Sequence, residues 1–224
     1  MVLVVARHAE SVENADKHNG FYQHRRPYNG HAAHQISRSI VGLTPRGFRQ
    51  ALWLGEALAD LGQAGVRVYA STYRRAIDTA AIAFPWLPDG AQRTPLLDEQ
   101  HYGDATYMTK QELFATYPDC VTDRQTRKHL WVPPGGGESL TDGVSRRASE
   151  FVERARADLA ADRHVIAVTH HTAILALRAI LERRPVTDLV EEARAAKTPI
   201  AGVFRYALTG AVFELTGTAA PPVL

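Results

Sequence analysis

Two short apolar runs each end on an imidazole. Val2-Leu3-Val4-Val5-Ala6 leads into Arg7-His8, and Val165-Ile166-Ala167-Val168-Thr169 leads into His170-His171. Polar groups also follow two other expected strands: Ser71 to Arg75 come after Val66–Ala70, and Glu99 comes after Arg93–Leu97. Histidine, arginine and carboxylate leaving four strand ends form a coherent set for phosphoryl transfer. A neutral imidazole can attack phosphorus and hold the group covalently, which divides one hard step into two. Guanidinium forks match phosphoryl oxygens and stabilise the spreading charge. A protonated carboxyl supplies the proton that a leaving oxygen needs. No divalent metal is required for this chemistry, and the chain offers no carboxylate cluster to hold one.

The elements that must position these groups follow from pattern. Each apolar run is too short to span a bilayer and suits a strand buried on both faces. Residues at its exit stand at the carboxyl edge of a sheet, where open α/β proteins bind ligands. The polar stretch from Val12 to Gly42 reads as a long loop, and such loops are usually functional or mobile. Thr44-Pro45 starts a helix, with threonine as N-cap and proline in the first turn. Phe48, Leu52, Gly55, Leu58 and Gly62 are expected on its inner face. Ser71 is expected to cap the next helix, which carries Arg74, Arg75, Ala76, Thr79 and Ala80. Lys110 to Tyr117 reads as a short helix, followed by a Pro/Gly-rich loop through Pro133-Pro134-Gly135-Gly136-Gly137. Val144, Ala148, Phe151, Val152, Ala155 and Leu159 recur at helical spacing. A helix from about Thr172 to Leu181 and two strands, Val203 to Leu208 and Ala211 to Leu215, complete the chain. Strands alternating with helices predict an α/β, three-layer sandwich whose mainly parallel central sheet is covered by helices, plus a lid or insertion region. A single domain over residues 1–224 is expected, with 12–43 and 100–137 as lid and specificity insertions.

Composition narrows the classes. A chain of 224 residues can build one good-sized core, and its 45% hydrophobic and 22% charged residues are ordinary for a globular protein. A formal charge of +2 is too small to point to nucleic acid as the main partner, although arginines gathered in one cleft can bind an anion. Cys120 is the only cysteine, so no intramolecular disulfide or C-x-x-C pair exists. No signal peptide or membrane-spanning run is evident, so a soluble, cytoplasmic protein is expected.

On these residues the chain resembles the histidine phosphatase superfamily, in the branch that holds cofactor-dependent phosphoglycerate mutases and related phosphatases. Arg7-His8-Ala9-Glu10-Ser11 with Asn14 matches its R-H-G-E-S-x-x-N signature, with alanine in the glycine position. Leu43-Thr44-Pro45-Arg46-Gly47 matches the start of the next helix, and Ser71 to Ala76 with Thr79-Ala80 matches S-x-L-x-R-A-x-x-T-A. Leu97-Asp98-Glu99 with Tyr102-Gly103 matches the acid segment, Gly137-Glu138-Ser139 the G-E-S before the long helix, and Val168-Thr169-His170 the second histidine motif. His171 stands where glycine is commoner. The six motifs occur in the family's order over nearly the whole chain. The resemblance implies His8 as the phosphorylated nucleophile and Glu99 as proton donor to the leaving group, then base for water. It also implies phosphoryl binding by Arg7, Arg75 and His170. Asn14, Ser11, Tyr102, His171, Arg127 and Lys128 are the substrate-binding candidates, the last two as the basic pair that grips a carboxylate in the mutases.

Neighbouring residues have plainer readings. Arg74 reads as a solvated helix residue, Glu10 as a cap or ion-pair partner and Asp98 as a turn residue outside the motif's register. The other histidines, among them His18, His24, His31 and His34, suggest zinc at first sight. Yet His31-x-x-His34 lies in an expected loop with no matching pair, and zinc needs three or four converging ligands. No metal or cofactor is expected. Gly135-Gly136-Gly137 lacks the ending of a phosphate loop and reads as a connector. The short segment between Pro134 and Glu138, where mutases carry a long insertion, favours a metal-independent phosphomonoesterase acting on a small phosphorylated metabolite. The alternatives are a mutase-type phosphoryl transferase and a catalytically weak phosphate-binding module. Expected partners are a small phosphorylated substrate, with no nucleic acid and no membrane; a homodimer is left open.

Overall fold

Alternation within the first strand decides the layering. A computed structural model describes residues 1–18, 21–23 and 30–222. Strand β1 (Val2–Arg7) sends Leu3 and Val5 into one apolar cluster and Val4 and Ala6 into another, all four fully buried. A strand with two covered faces belongs in the middle layer of three.

Four short elements follow: α1 (Val12–Ala15), β2 (Lys17–His18), β3 (Phe21–Tyr22) and α2 (Gly30–Ser39). The next stretch holds α3 (Pro45–Ala57), β4 (Val66–Ala70), α4 (Arg74–Ala83) and β5 (Gln92–Arg93). Helices α5 (Lys110–Thr116) and α6 (Val121–Thr126) then lead to α7 (Ser145–Ala160). The chain continues through β6 (His164–Thr169), α8 (His171–Leu181), α9 (Val186–Ala195), β7 (Val203–Thr209) and β8 (Val212–Ala219). The central sheet has the order β5-β4-β6-β1-β7-β8, its first four strands parallel and the last two antiparallel. Leu54, Leu58, Ala76 and Ala80 of the α3–α4 side meet Val4 and Ala6. Phe151, Val152, Ile174, Leu177 and Leu189 cover the opposite face with Leu3 and Val5. Each such fully buried large side chain contributes roughly 1.5–3 kcal/mol. Among the described residues no helix is long and apolar enough to cross a membrane.

Several expectations change. The stretch from Val12 to Gly42 is not one irregular loop, because Ser11 and Asn14 form a capping box for α1, and Ala33 and Ile36 of α2 pack on Tyr22 and Tyr107. His31 and His34 therefore lie on a helix; His24 lies outside the described residues. The inner face of α3 is only partly the expected one: Leu58 packs in the core and Gly55 faces backbone as expected, but Phe48 and Leu52 do not lie on it. Gly47, Gln50, Ala51 and Leu54 are buried, while Phe48 and Leu52 are 51% and 45% exposed. Glycines explain the phase: a Cβ on Gly47 would lie 2.0 Å from the Glu10 carbonyl oxygen, and one on Gly55 2.4 Å from that of Ala83. The helix turns these glycines toward backbone and Phe48 and Leu52 away, while Leu54 and Leu58 face the core. Tyr73, not Ser71, occupies the N-cap position of α4. The strand expected over Arg93–Leu97 shortens to β5, because Thr94 and Pro95 start a 3-10 turn at Pro95–Leu97. Helices α6 and α9 were not anticipated.

Candidate active site

Parallel register places the reacting groups. Arg7 of β1 is paired with Thr169 of β6, so the next residues, His8 and His170, leave the sheet at one level. Ala70 of β4 faces Val168, which puts Ser71 beside them. The ladder continues past the strand ends, with His8 N donating to Thr169 O at 2.8 Å and Ser71 N to Val168 O at 3.0 Å. The His8 and His170 rings meet edge to face with centroids 4.9 Å apart.

His8 is poised as a base or nucleophile. Its Nδ1 lies 2.7 Å from the Ala9 carbonyl oxygen, which can only accept, so Nδ1 carries the proton. The lone pair then sits on Nε2, which accepts from Arg75 Nε at 3.3 Å. Burial, with Arg75 and Arg7 alongside, holds this imidazole well below its ordinary value of 6.5, so it is neutral at physiological pH. Ala9 replaces the family's glycine without strain: it is fully buried, is not among the residues with positive φ, and its N–H donates to Thr79 Oγ1 at 3.0 Å.

Cationic and imidazole groups ring this atom. Arg7 donates through one terminal nitrogen to the Thr198 carbonyl, while its buried Nε has no partner among the described residues. Burial lowers Arg7 to about 10, still fully charged at neutral pH. Arg75 is oriented from three sides: Nη1 donates to Ser37 O at 2.9 Å and lies 3.5 Å from Glu13 Oε2, and the guanidinium covers the Tyr73 ring. Glu13 is buried, accepts from the Tyr107 hydroxyl at 2.7 Å, and is held below its ordinary value, against the cost of burial, by Lys17, Arg75 and that hydroxyl. His170 Nε2 lies 2.8 Å from Ser71 Oγ, which in turn lies 2.7 Å from Asp98 Oδ1. A hydroxyl donating to that carboxylate in turn accepts a hydrogen bond from His170 Nε2–H, leaving Nδ1 buried and without a partner among the described residues. Arg7, which lines the cavity, and His170, which lies behind the His8 ring outside that lining, thus each keep an unsatisfied buried polar atom, and such atoms call for a partner.

Glu99 enters from a turn, not from a strand end. Asp98 anchors that turn by accepting from Ser71, from Thr72 N at 2.8 Å and from Thr72 Oγ1, so it is a structural clamp. Glu99 Oε1 accepts from Thr172 N at 3.1 Å, in the first turn of α8, and from Gln100 N at 3.0 Å. It lines the same cavity of about 730 Å³ as Arg7, His8 and Arg75.

The remaining expected residues divide. Asn14, Tyr102, His171 and Lys128 line the cavity. Asn14 accepts from Ser11 through its side-chain oxygen, which leaves its amide N–H groups free for another partner. Ser11 is fully buried outside the lining, its hydroxyl committed to the α1 cap. Arg127 also lies outside it, exposed and paired with Asp123 one turn earlier. Glu10 accepts from the Thr44 hydroxyl and lies 3.8 Å from Arg46, the plain reading given to it from sequence. Sequence reasoning missed Glu13, Ser37, Tyr73, Lys17 and Lys197. Glu13 and Tyr73 carried a usable signal, since they sit inside the first motif beside Asn14 and inside the Ser71 to Ala76 motif beside Arg75; the others come from elements whose placement depends on tertiary packing.

Comparison with known proteins agrees with this geometry. Residues 3–198 match the model of the histidine phosphatase superfamily (branch 1). A 2,3-bisphosphoglycerate-dependent phosphoglycerate mutase of Mycobacterium tuberculosis is 29% identical over 177 residues, covering 67% of this chain and 70% of that protein. Among solved structures, YhfR of Bacillus stearothermophilus superposes with a TM-score of 0.74 at 26% identity, covering 96% of this chain and 95% of that one. Mycobacterial glucosyl-3-phosphoglycerate phosphatase superposes at 0.71 with 26% identity and 96% coverage of both chains. The α-ribazole phosphatase of Shigella flexneri, at 22% identity and a TM-score of 0.74 over 96% and 94% of the two chains, shares the fold. A buried imidazole pair within a ring of arginines, on a mixed sheet of this order and matched over most of its length, has one assignment: the chain belongs to the histidine phosphatase superfamily and is an enzyme of that family.

Proposed function

We propose that this enzyme is a phosphomonoesterase that works through a phosphohistidine on His8 and needs no metal. The tautomer of His8 carries the reading: a proton fixed on Nδ1 by Ala9 O leaves the Nε2 lone pair to attack phosphorus. Arg7 and Arg75 bind the phosphoryl oxygens and take the charge stabilisation that a metal supplies elsewhere. An arriving dianion draws a proton onto His170 Nδ1, which then donates to a third oxygen. The Asn14 amide completes the cradle. Glu99, which lines the same cavity, protonates the leaving oxygen. It then takes a proton from the water that attacks phosphohistidine, returning His8 to its starting form. The segments 12–43 and 100–137 supply much of the wall beyond the phosphoryl group, through residues such as Glu13, Lys17, His34, Tyr102 and Lys128, and so act as specificity insertions.

The test is hydrolysis of p-nitrophenyl phosphate with chelator present, together with trapping of radiolabelled phosphate on the protein. Turnover in chelator and a label lost with His8→Ala support the reading; a label on another residue refutes it. A phosphoryl transferase of mutase type is the second reading, favoured by the mutase named above and by Lys128 in the cavity wall. It predicts isomerisation of 3-phosphoglycerate, observable by phosphorus NMR, faster than release of inorganic phosphate.

A further inference from the structure

A buried carboxylate beside a phosphoryl-binding arginine is costly, because it opposes the anion that the arginine must hold. Glu13 is such a group. It is 4% exposed, lines the cavity, and its Oε2 lies 3.5 Å from Arg75 Nη1. Its other oxygen accepts from the Tyr107 hydroxyl at 2.7 Å. The hydroxyls of Tyr22 and Ser37 and the ammonium of Lys17 also lie close enough to interact with it. These groups come from β2, β3, α2 and the turn after Gly103–Ala105. The segments 12–43 and 100–137 therefore converge on one side chain, five residues beyond His8.

Packing braces this convergence. Tyr22 and Tyr107 meet edge to face with ring centroids 5.0 Å apart, and Ala33 and Ile36 of α2 pack on them. Tyr107 holds φ at 69°, a conformation that a bulky residue keeps only where its surroundings enforce it. The last turn of α2 is fastened as well, with Arg38 Nε donating to Thr72 Oγ1 at 2.9 Å and Ser37 O accepting from Arg75 Nη1 at 2.9 Å. Nη1 is thereby pinned between Ser37 O and Glu13, while Nε of the same guanidinium donates to His8 Nε2 at 3.3 Å. A rigid planar fork held at one nitrogen pivots about it, so Nε can exchange His8 for a phosphoryl oxygen without Arg75 leaving its place.

We propose that Glu13 is a positioning residue: it sets Arg75 for the transition state at His8 and transmits to it the packing of the 12–43 and 100–137 segments. The inference rests on Arg75 as a phosphoryl-binding group, as the phosphomonoesterase reading has it. Donors already in place stabilise developing charge because nothing has to reorganise at the moment of reaction. The sign of the effect separates this role from a merely structural one. The charge of Glu13 opposes a bound dianion, so neutralising it does not weaken ground-state binding. A loosened guanidinium, however, fits the five-coordinate transition state less well.

The experiment is isothermal titration calorimetry on the full chain with inorganic phosphate, a ground-state ligand, and orthovanadate, which adopts the five-coordinate geometry of phosphoryl transfer. Glu13→Gln should weaken orthovanadate by about tenfold or more, the scale of one charge-assisted hydrogen bond, and should not weaken phosphate by more than about twofold. In an Arg75→Ala background the same substitution should cost less than about twofold, since a residue that acts through another then has nothing to act on. Tyr107→Phe, which removes one hydroxyl, should weaken orthovanadate selectively by about threefold and add nothing to Glu13→Gln. Equal losses with and without Arg75, or equal losses for phosphate and orthovanadate, would overturn the proposal. So would wild-type orthovanadate affinity in Glu13→Gln, or no binding of orthovanadate by the unaltered protein. If thermal melts show that Glu13→Gln does not fold, Tyr107→Phe decides alone: a selective loss supports the proposal, and wild-type orthovanadate affinity overturns it. Failure to hydrolyse p-nitrophenyl phosphate, with the coupling between Glu13 and Arg75 intact, would instead sink the phosphomonoesterase reading and leave the positioning role standing.

Discussion

Replacing Gly47 by alanine sets two effects of opposite sign against each other. Helix propensity alone favours alanine over glycine by about 1 kcal/mol in a helix interior. Packing opposes it, because the new Cβ would lie 2.0 Å from Glu10 O, 2.9 Å from Glu10 C and 3.1 Å from Glu10 N. Those are backbone atoms, so no side chain can rotate away, and the helix or the loop must retreat by more than about 1 Å to reach ordinary contact. Overpacking costs typically 1–3 kcal/mol, and a contact this close to fixed backbone costs about 2–4 kcal/mol. A net loss of roughly 1–3 kcal/mol follows. At about 2.1 cal/mol/K per residue, 224 residues have an unfolding entropy near 0.5 kcal/mol/K, so Tm should fall by roughly 2–6 °C. Glu10 also accepts from Thr44 N at 3.0 Å and lies two residues beyond His8, so the retreat reaches the nucleophile. A displacement near 1 Å costs about 100-fold in rate, and kcat/KM on p-nitrophenyl phosphate should drop by roughly 10- to 100-fold. Thermal melts and steady-state kinetics on the same preparation decide. An unchanged or raised Tm with full activity would show that propensity wins and that Gly47 is no spacer.

Other outcomes are as specific. His8→Ala should abolish turnover, by at least about 1,000-fold, and lose acid-labile phosphate labelling; substantial residual rate would move the nucleophile elsewhere. Glu99→Gln should slow alkyl phosphates by roughly 100-fold while sparing p-nitrophenyl phosphate, whose leaving group needs no proton; equal losses would remove Glu99 from proton transfer. The His8 imidazole stays neutral below its ordinary 6.5, so the acid limb of kcat/KM belongs under pH 6.5, and a limb above it would contradict the assigned protonation state. Stability carries the same sign: His8, His170 and His171 are all lowered in the fold, so the unfolded chain binds more protons once pH drops under about 6.5. Tm should therefore decline between pH 7 and pH 5, and His171→Asn should flatten that decline.

Much of this was legible because the informative patterns are local. Strands β1, β4 and β6 show as apolar runs, and the histidines that end two of them stand where a parallel sheet exposes its edge. The Thr44-Pro45 start and the apolar period of α7 are equally local. Helix α9 has only Leu189 and Val190 fully buried, too few apolar positions to reveal a period. The phase of α3 was misread in part: Gly55 and Leu58 were rightly placed inward, but the close approach of the Glu10 backbone turns Gly47 inward where Phe48 was expected. Glu13 escaped notice because a carboxylate among motif residues looks solvated until Arg75 and Tyr107 arrive from distant segments. Ser11 and Arg127 illustrate the reverse: motif position suggested contact with substrate, and local capping and a one-turn ion pair use their polar atoms.

The hydrogen bond from Arg75 to His8 Nε2 gives the resting enzyme a guard on its own reactivity. A small electrophile carries too little charge to draw the guanidinium away, so it meets a masked imidazole. Only a group anionic enough to claim Arg75 uncovers the lone pair it is about to receive. Acylating reagents for histidine should thus spare His8 in the empty enzyme, and the cell's reactive metabolites with it.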